Sequence, residues 1–362
     1  MKIEELDTPV LLVDADAFER NVARMATLCG DAGIACRPHA KAHKSPEVAR
    51  IQIEAGAVGL CCAKLGEAEV LAAAGIADLH VTTPVVGASK ILRLTAAARQ
   101  ARISVVVDDA DNISDLAAGA QTAGLALDVL VEVDVGQGRC GVEPGPRAAE
   151  LARLIAGHDW LRFRGLQAYQ GLIQMRGDVE ERRAAAAEAL DKAELSARLV
   201  REAGLDIEVL TGGGTGTSAI DAAAGGLTEL QPGSYIFMDT NYSAIEWEGA
   251  PAPPFENALT VLAGVLSRPA PDRVILDSGM KAISGDGGAP RARDHAEAGF
   301  RFAGDEHGQL VFPGESPLGV GDKVTLLPSH CDTTVNLHDR FIVTRGDEVE
   351  AVWEIAARGR SQ

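Results

Sequence analysis

Aromatic residues and positive charge are both scarce in this sequence. Phenylalanine, tryptophan and tyrosine make up 4% of 362 residues, and lysine plus arginine number 34 against 52 acids, a net charge of −18. Without a basic surface, non-specific nucleic-acid binding is excluded as the main role, and an anionic membrane is a poor partner. No uncharged apolar run reaches the length of about 18 residues that a membrane span needs. Met1–Asp7 is acidic and lacks an apolar core, so no signal peptide is expected. The six cysteines (Cys29, Cys36, Cys61, Cys62, Cys140 and Cys331) show no C-x-x-C spacing, which points to a reducing cytoplasm. No G-x-G-x-x-G follows the first strand, which weighs against a dinucleotide-binding sheet.

What is present is ordinary globular composition, 46% apolar and 24% charged, with 39 glycines and abundant alanine. Small residues let helices approach a sheet closely, which suits an α/β fold. Eight apolar, strand-like runs alternate with helical runs: 34–37, 57–62, 79–83, 103–107, 129–133, 165–169, 207–210 and 228–231. Near-continuous apolarity is the mark of parallel strands buried on both faces. Eight such repeats in about 200 residues predict a (β/α)8 TIM-type barrel. Helices are expected over 46–55, 65–74, 90–100, 112–123, 147–156 and 178–203. A further helix, opened by a capping box from Asp16 to Glu19, precedes the barrel. Near Pro251-Ala252-Pro253-Pro254 the helical signal fades, and seven short strand-like runs follow. The expected division is a barrel over 14–250 and a mainly β domain over 251–362, joined by the strand within 1–13.

In such barrels chemistry sits in the loops after the strands. After the first strand, Lys41 lies in Arg37-Pro38-His39-Ala40-Lys41-Ala42-His43-Lys44, just before a helix opened by Ser45-Pro46. Like charges at His39, His43 and Lys44 could activate Lys41 as a Schiff-base lysine; the alternative is a solvated basic loop. Arg139, among glycines after the fifth strand, could bind an anion or an aromatic nitrogen, or lie at the surface. Tyr169, after the sixth, could stack on a ligand or simply pack. Thr211-Gly212-Gly213-Gly214-Thr215-Gly216-Thr217 and Gln231-Pro232-Gly233-Ser234 follow the seventh and eighth strands. Glycine-rich turns at those two positions favour a phosphate. In the β domain, His330 and Asp332 face the same way if the backbone is extended, and could share Mn²⁺, Mg²⁺ or Zn²⁺. Cys331 would face away.

These stretches, together with Cys62-Ala63-Lys64-Leu65-Gly66-Glu67-Ala68-Glu69 and Pro328-Ser329-His330-Cys331-Asp332, resemble the D-threonine aldolase/D-serine dehydratase family. The resemblance runs from Leu6-Asp7-Thr8-Pro9 to the C-terminal strands. It implies a barrel of the alanine racemase type and pyridoxal 5′-phosphate. Lys41 would be the Schiff-base lysine, Arg139 the partner of the pyridine nitrogen, and Tyr169 a neighbour of the ring. Thr215, Gly233 and Ser234 would contact the phosphate, and His330 and Asp332 would hold a divalent metal. His43 is a candidate base, beside His39 and a metal-bound water. The dehydratase branch resembles H-x-C. The carboxylate at position 332 fits the aldolase branch and a harder ion, with Mn²⁺ first and Mg²⁺, Co²⁺ or Zn²⁺ as alternatives.

The implied reaction is cleavage of a D-β-hydroxy-α-amino acid, the small-molecule partner, to glycine and an aldehyde. Rivals on the same scaffold are D-serine or 3-hydroxyaspartate dehydratases, a 3-hydroxyaspartate aldolase and an amino-acid racemase. A non-catalytic cofactor carrier is disfavoured by the roughly 110 residues after Pro251. A barrel enzyme that takes a phosphorylated substrate without cofactor is the remaining reading. The resemblance also implies a homodimer with active sites at the subunit interface.

Overall fold

A computed structural model describes residues 1–250 and 252–362; Pro251, the first residue of the expected boundary, lies outside them. The chain opens with β1 (Val10–Asp14) and α1 (Ala15–Ala32). There follow β2 (Ala35–Cys36), α2 (Pro46–Glu54), β3 (Leu60–Cys62), α3 (Leu65–Ala73), β4 (Asp78–Val81), α4 (Ala88–Ala97), β5 (Arg102–Val107), α5 (Ala110–Ala123) and β6 (Leu127–Glu132). Next come α6 (Pro146–Ala156), β7 (Leu161–Ala168), α7 (Val179–Glu202), β8 (Val209–Gly212), α8 (Ser218–Ala224) and β9 (Glu229–Leu230). A short α9 (Thr240–Ser243) leads to β10 (Leu259–Ala270), β11 (Arg273–Leu276), β12 (Arg291–Ala292), β13 (Gly299–Phe302), β14 (Gly308–Val311) and β15 (Lys323–Leu327). The chain ends with α10 (Cys331–Val335), β16 (Arg340–Arg345) and β17 (Glu348–Glu354).

Two compact units result. One comprises Met1–Arg24, Ala42–Glu47 and Ser234–Arg358; the other comprises Met25–Lys41, Val48–Gly233 and Gly359–Gln362. This division differs from one at 14–250 and 251–362, for visible reasons. The Asn21 amide donates to Ile236 O and Glu256 O at 3.2 and 2.8 Å, so half of α1 and the segment after β9 join the β unit.

In the larger unit the eight strands run parallel in the order β2-β9-β8-β7-β6-β5-β4-β3. The remaining seam, from β2 to β3, is closed by Val58 N–H to Cys36 O (2.9 Å), Cys61 N–H to Pro38 O (2.8 Å) and a bridge between His39 and Cys61. Val105, Val107, Val129 and Val131 are fully buried in the core between strands and helices. Gly165 is required at the β7–β8 approach: its φ is +147°, and a Cβ there would lie 1.8 Å from Val209 O. Charge is gathered at the starts of the strands. Arg37 pairs with Glu229 and Asp78 at 2.5 and 2.6 Å, and buried Asp128 accepts from Arg102, Arg162 and Arg164 at 2.6–2.8 Å. At the opposite ends the loops begin, and Glu132 is the last residue of β6.

In the β unit, β1 pairs antiparallel with β10 and parallel with β16. The path is β13-β14-β11-β10-β1-β16-β17, with β15 also on β10 and β12 on β15. The scarce aromatics are concentrated here. Phe237 lies 6.1 Å from Phe18 and 5.3 Å from Phe341, and Phe18 lies 5.4 Å from Trp353, so a few large side chains supply much of the apolar area. The expected capping box at the start of α1 is replaced by another arrangement. Asp14 caps the helix by accepting from Ala17 N–H at 3.0 Å, while Asp16 and Glu19 pair with Arg345. Among the described residues, no helix is long and apolar enough to cross a membrane.

Candidate active site

Lys41 lies in a 3-10 turn, Ala40–Ala42, after β2, flanked by two fully buried alanines. Its N–H donates to Nδ1 of buried His39 at 3.3 Å. That donor places the ring hydrogen on Nε2, which lies 3.2 Å from the Thr82 hydroxyl; Thr82 in turn donates to Cys62 O. His43, fully buried, accepts from Ser45 N–H at Nδ1, 3.0 Å away. Bonded in this way, each imidazole uses Nδ1 as an acceptor toward the loop backbone. The two rings thus brace the loop that carries Lys41. The acceptor nitrogen of His43 is also occupied, so the geometry gives it a loop-shaping role and offers no support for proton removal by this ring. Lys44 is likewise buried, at a left-handed φ of 53°, and does not extend a solvated basic loop.

Arg139 rises from the loop after β6. Asp134 Oδ1 accepts from the amides of Gly136, Gln137 and Gly138 at 2.9, 2.8 and 3.1 Å. Although partial burial opposes it, these amides hold the Asp134 carboxyl below its ordinary range. The Arg139 guanidinium is half exposed, 6.0 Å from the Tyr169 ring centroid and 3.9 Å from Glu132 Oε1. Glu132, at the end of β6, is 3% exposed, and its Oε2 is buried without a hydrogen-bond partner among the described residues. Burial pushes this carboxyl up to about 7, against the pull of Arg139. A buried acceptor oxygen beside a half-exposed guanidinium is a feature that a charged, ring-bearing ligand can complete.

Glu132 also governs a pH response. Its folded value, about 7, lies above the ordinary 4.5, so its favourable contribution is complete below about 4.5 and is lost as pH rises toward 7. Glu132→Gln is expected to remove that loss, worth at most about 3 kcal/mol. The cofactor-free variant should gain stability relative to wild type at pH 8 but not at pH 4. Denaturant unfolding at the two pH values checks this, and equal pH dependence in both proteins would sink it.

Further along, Thr215 is buried in the loop after β8, Gly233 follows β9, and Ser234 opens a buried 3-10 turn. Part of the glycine run after β8 has another cause than a ligand. A Cβ on Gly214 would lie 2.6 Å from Gln174 Oε1, and one on Gly216 would lie 1.8 Å from Gln174 O. Beneath the loop, Asp221 accepts from the Thr217 hydroxyl at 2.5 Å, and burial pushes its carboxyl up to about 7. A layer of polar side chains crosses the barrel below. His80 binds Ser104 and Gln167 at 2.8 and 2.9 Å, burial pushing its ring down to about 3, and Gln231 donates to Thr211 at 3.0 Å.

In the β unit, His330 has extended backbone, but Cys331–Val335 forms α10 and Asp332 lies in its first turn. The same-face argument from an extended chain therefore does not apply to the pair. His330 Nδ1 is 2.7 Å from Asp286 Oδ2, and Asp286 Oδ1 accepts from Ser284 and Thr333, each at 2.7 Å. A carboxylate on one imidazole nitrogen is how metal-binding histidines are commonly oriented. Asp332 is buried, its Oδ1 3.5 Å from the Ser234 hydroxyl and 3.3 Å from Cys331 Sγ. Asp239 accepts from Cys331 N–H at 3.1 Å, and burial raises its carboxyl. Among the described residues, no group of three His, Cys, Asp or Glu side chains is placed to hold a metal ion. The donor types of His330 and Asp332 would fit a hard or borderline ion with open positions.

Residues 13–241 match the family model described as alanine racemase, N-terminal domain, and residues 258–344 match the putative serine dehydratase domain. The D-threonine aldolase of an Arthrobacter species is 46% identical over 361 residues, covering 99% of this chain and 95% of that protein. The chain belongs to the D-threonine aldolase/D-serine dehydratase family. Within the family, a 3-hydroxy-D-aspartate aldolase of Paracoccus denitrificans is 39% identical over 365 residues, covering 99% of this chain and 94% of that one. The crystal structure of the D-threonine aldolase from Filomicrobium marinum superimposes with a TM-score of 0.96 at 42% identity, covering 99% and 97% of the two chains. The expected family fold, an alanine racemase-type barrel with a mainly β domain, is the fold observed.

Proposed function

We propose that the protein is a carbon–carbon lyase that uses pyridoxal phosphate to cleave D-β-hydroxy-α-amino acids of the D-threonine type to glycine and an aldehyde. The observation that carries this reading is the end-to-end identity of 46% with a D-threonine aldolase. In the reaction the Cα–Cβ bond breaks, the hydroxyl proton leaves as the aldehyde carbonyl forms, and Cα takes up a proton to become glycine. Bound pyridoxal phosphate supplies an electron sink for the pair released at Cα.

The chain's own groups have distinct tasks in this reading. Lys41 would hold the cofactor through its amine and could move protons at Cα. Arg139, near Tyr169 and Glu132, would donate toward the ring nitrogen; a guanidinium accepts no proton and gives none up readily, so it would leave that atom unprotonated. Thr215, Gly233 and Ser234 are assigned to the phosphate. His330 and Asp332 are assigned to a divalent ion, Mn²⁺ first, which supplies Lewis-acid polarisation of the substrate hydroxyl. The carboxylate at position 332 favours the aldolase reading over dehydration. We also propose a homodimer, on family resemblance, and a cytoplasmic setting, supported by six cysteines of which none forms a disulfide.

Incubation with D-threonine, D-serine and both 3-hydroxyaspartate epimers, with products identified by mass, tests the assignment. Glycine and acetaldehyde from D-threonine are expected; ammonia and a keto acid as the main products would replace the aldolase with a dehydratase.

A further inference from the structure

One buried side chain, Gln174, ties the loop after β7 to the loop after β8. It is 2% exposed, and every hydrogen-bonding position of its amide is used. Oε1 accepts from Gly216 N–H and Thr217 N–H at 3.0 and 3.2 Å. Nε2 donates to Gln170 O at 3.1 Å and to the Thr217 hydroxyl at 3.0 Å. An amide has two acceptor and two donor positions, so this one is satisfied and its orientation is fixed. The Thr217 hydroxyl passes its own hydrogen to Asp221 and receives Gly214 N–H at 3.3 Å, which extends the brace under the glycine run.

The brace has a chemical consequence. The amides of Gly216 and Thr217 are committed to Gln174 and do not point at a ligand. An anion received by this loop would have to use other groups than these two amides, among them those assigned to the phosphate above. Gly214 and Gly216 lack side chains because residue 174 presses on them. Gln174 therefore decides which edge of the loop is presented. Behind it lies a cavity of about 20 Å³, room for about one water, in which Asp221 is the only ionisable lining residue among the described residues.

We infer that Gln174 is a positioning residue that sets the shape of the loop receiving the cofactor's phosphate, a role that rests on the cofactor reading above. It touches neither the ring nor the reacting atoms in this account. Its signature is discrimination between pyridoxal phosphate and pyridoxal, which lacks only the phosphate.

The test uses the full-length protein stripped of cofactor, titrated with each compound and followed by absorbance, with the ³¹P resonance of bound pyridoxal phosphate as a second readout. Gln174→Met keeps length and volume but removes all four hydrogen bonds. It is expected to weaken pyridoxal phosphate by about tenfold or more, the scale of one lost buried hydrogen bond, while pyridoxal changes by less than about twofold. The ³¹P line should shift or broaden. Gln174→Glu, which keeps an acceptor for both loop amides, serves if the methionine variant does not fold. It should also lose discrimination, because a donor is lost and a negative charge is placed behind the loop. Wild-type discrimination in a folded variant overturns the inference, and so does equal weakening of both compounds, which would mark a merely structural residue. If wild type itself binds pyridoxal as tightly as pyridoxal phosphate, the phosphate assignment falls, and the role of Gln174 with it.

Discussion

Lys41→Ala is expected to lower the rate of glycine formation from D-threonine by about 10²–10⁴-fold, the range found when a positioned proton-transfer group is removed. Loss of the covalent anchor acts in the same direction. The local structure makes this a clean experiment. The turn that carries Lys41 is fixed through its backbone, by the Lys41 N–H to His39 bond and by two buried alanines, and none of these depends on the lysine side chain. The variant should keep wild-type thermal stability in the cofactor-free form. Its cofactor should then be held by phosphate and ring contacts alone, so gel filtration should strip what wild type retains, and the visible absorbance should move to that of the free aldehyde. Small primary amines added in solution should restore part of the rate, because they supply the missing group. An unchanged spectrum would assign the anchor to another lysine.

Removal of metal is expected to have the next largest effect. Lewis-acid polarisation is worth several kcal/mol of charge stabilisation, or about 10²–10⁴-fold in rate. Exhaustive chelation should lower cleavage by that much, with recovery on adding Mn²⁺. His330→Ala should resist recovery at any accessible ion concentration. Asp286→Asn gives the graded case. Its oxygens orient the His330 ring and are themselves held by Ser284 and Thr333, so its loss should weaken metal affinity by about 10–100-fold and leave the rate at saturating Mn²⁺ near wild type. Full activity in a sample shown to be metal-free would remove His330 and Asp332 from the reaction altogether.

The barrel was legible because its strands are apolar on both faces: Ser104 and Asp128 apart, β5 after Arg102 and β6 before Glu132 each carry an apolar run. The same property hid the site's interior. Where both faces are buried, alternation no longer distinguishes the inward residues, so Glu132, Gln167 and His80 could not be separated from their neighbours. Gln174 was invisible for another reason: it acts through backbone amides some 40 residues away, and a loop glutamine carries no pattern. Short motifs failed where the local conformation was assumed. Asp16 and Glu19 have capping-box spacing, yet the helix begins two residues earlier, capped by Asp14, and Arg345 claims both acids. His330 and Asp332 are two apart, yet a helix starts between them. The glycine run was read as ligand-facing, whereas two of its members are constrained from behind.

That last contact constrains how related sequences can diverge. Gly214 is limited by the side chain at 174, so alanine there should be tolerated once residue 174 has become short; the two positions should change together. Gly216 is limited by the backbone of 174, which every residue carries, so it should remain glycine whatever stands at 174. In a large set of relatives the first pair should therefore covary while the third position stays invariant, a record of side-chain and main-chain contact readable without any further structure.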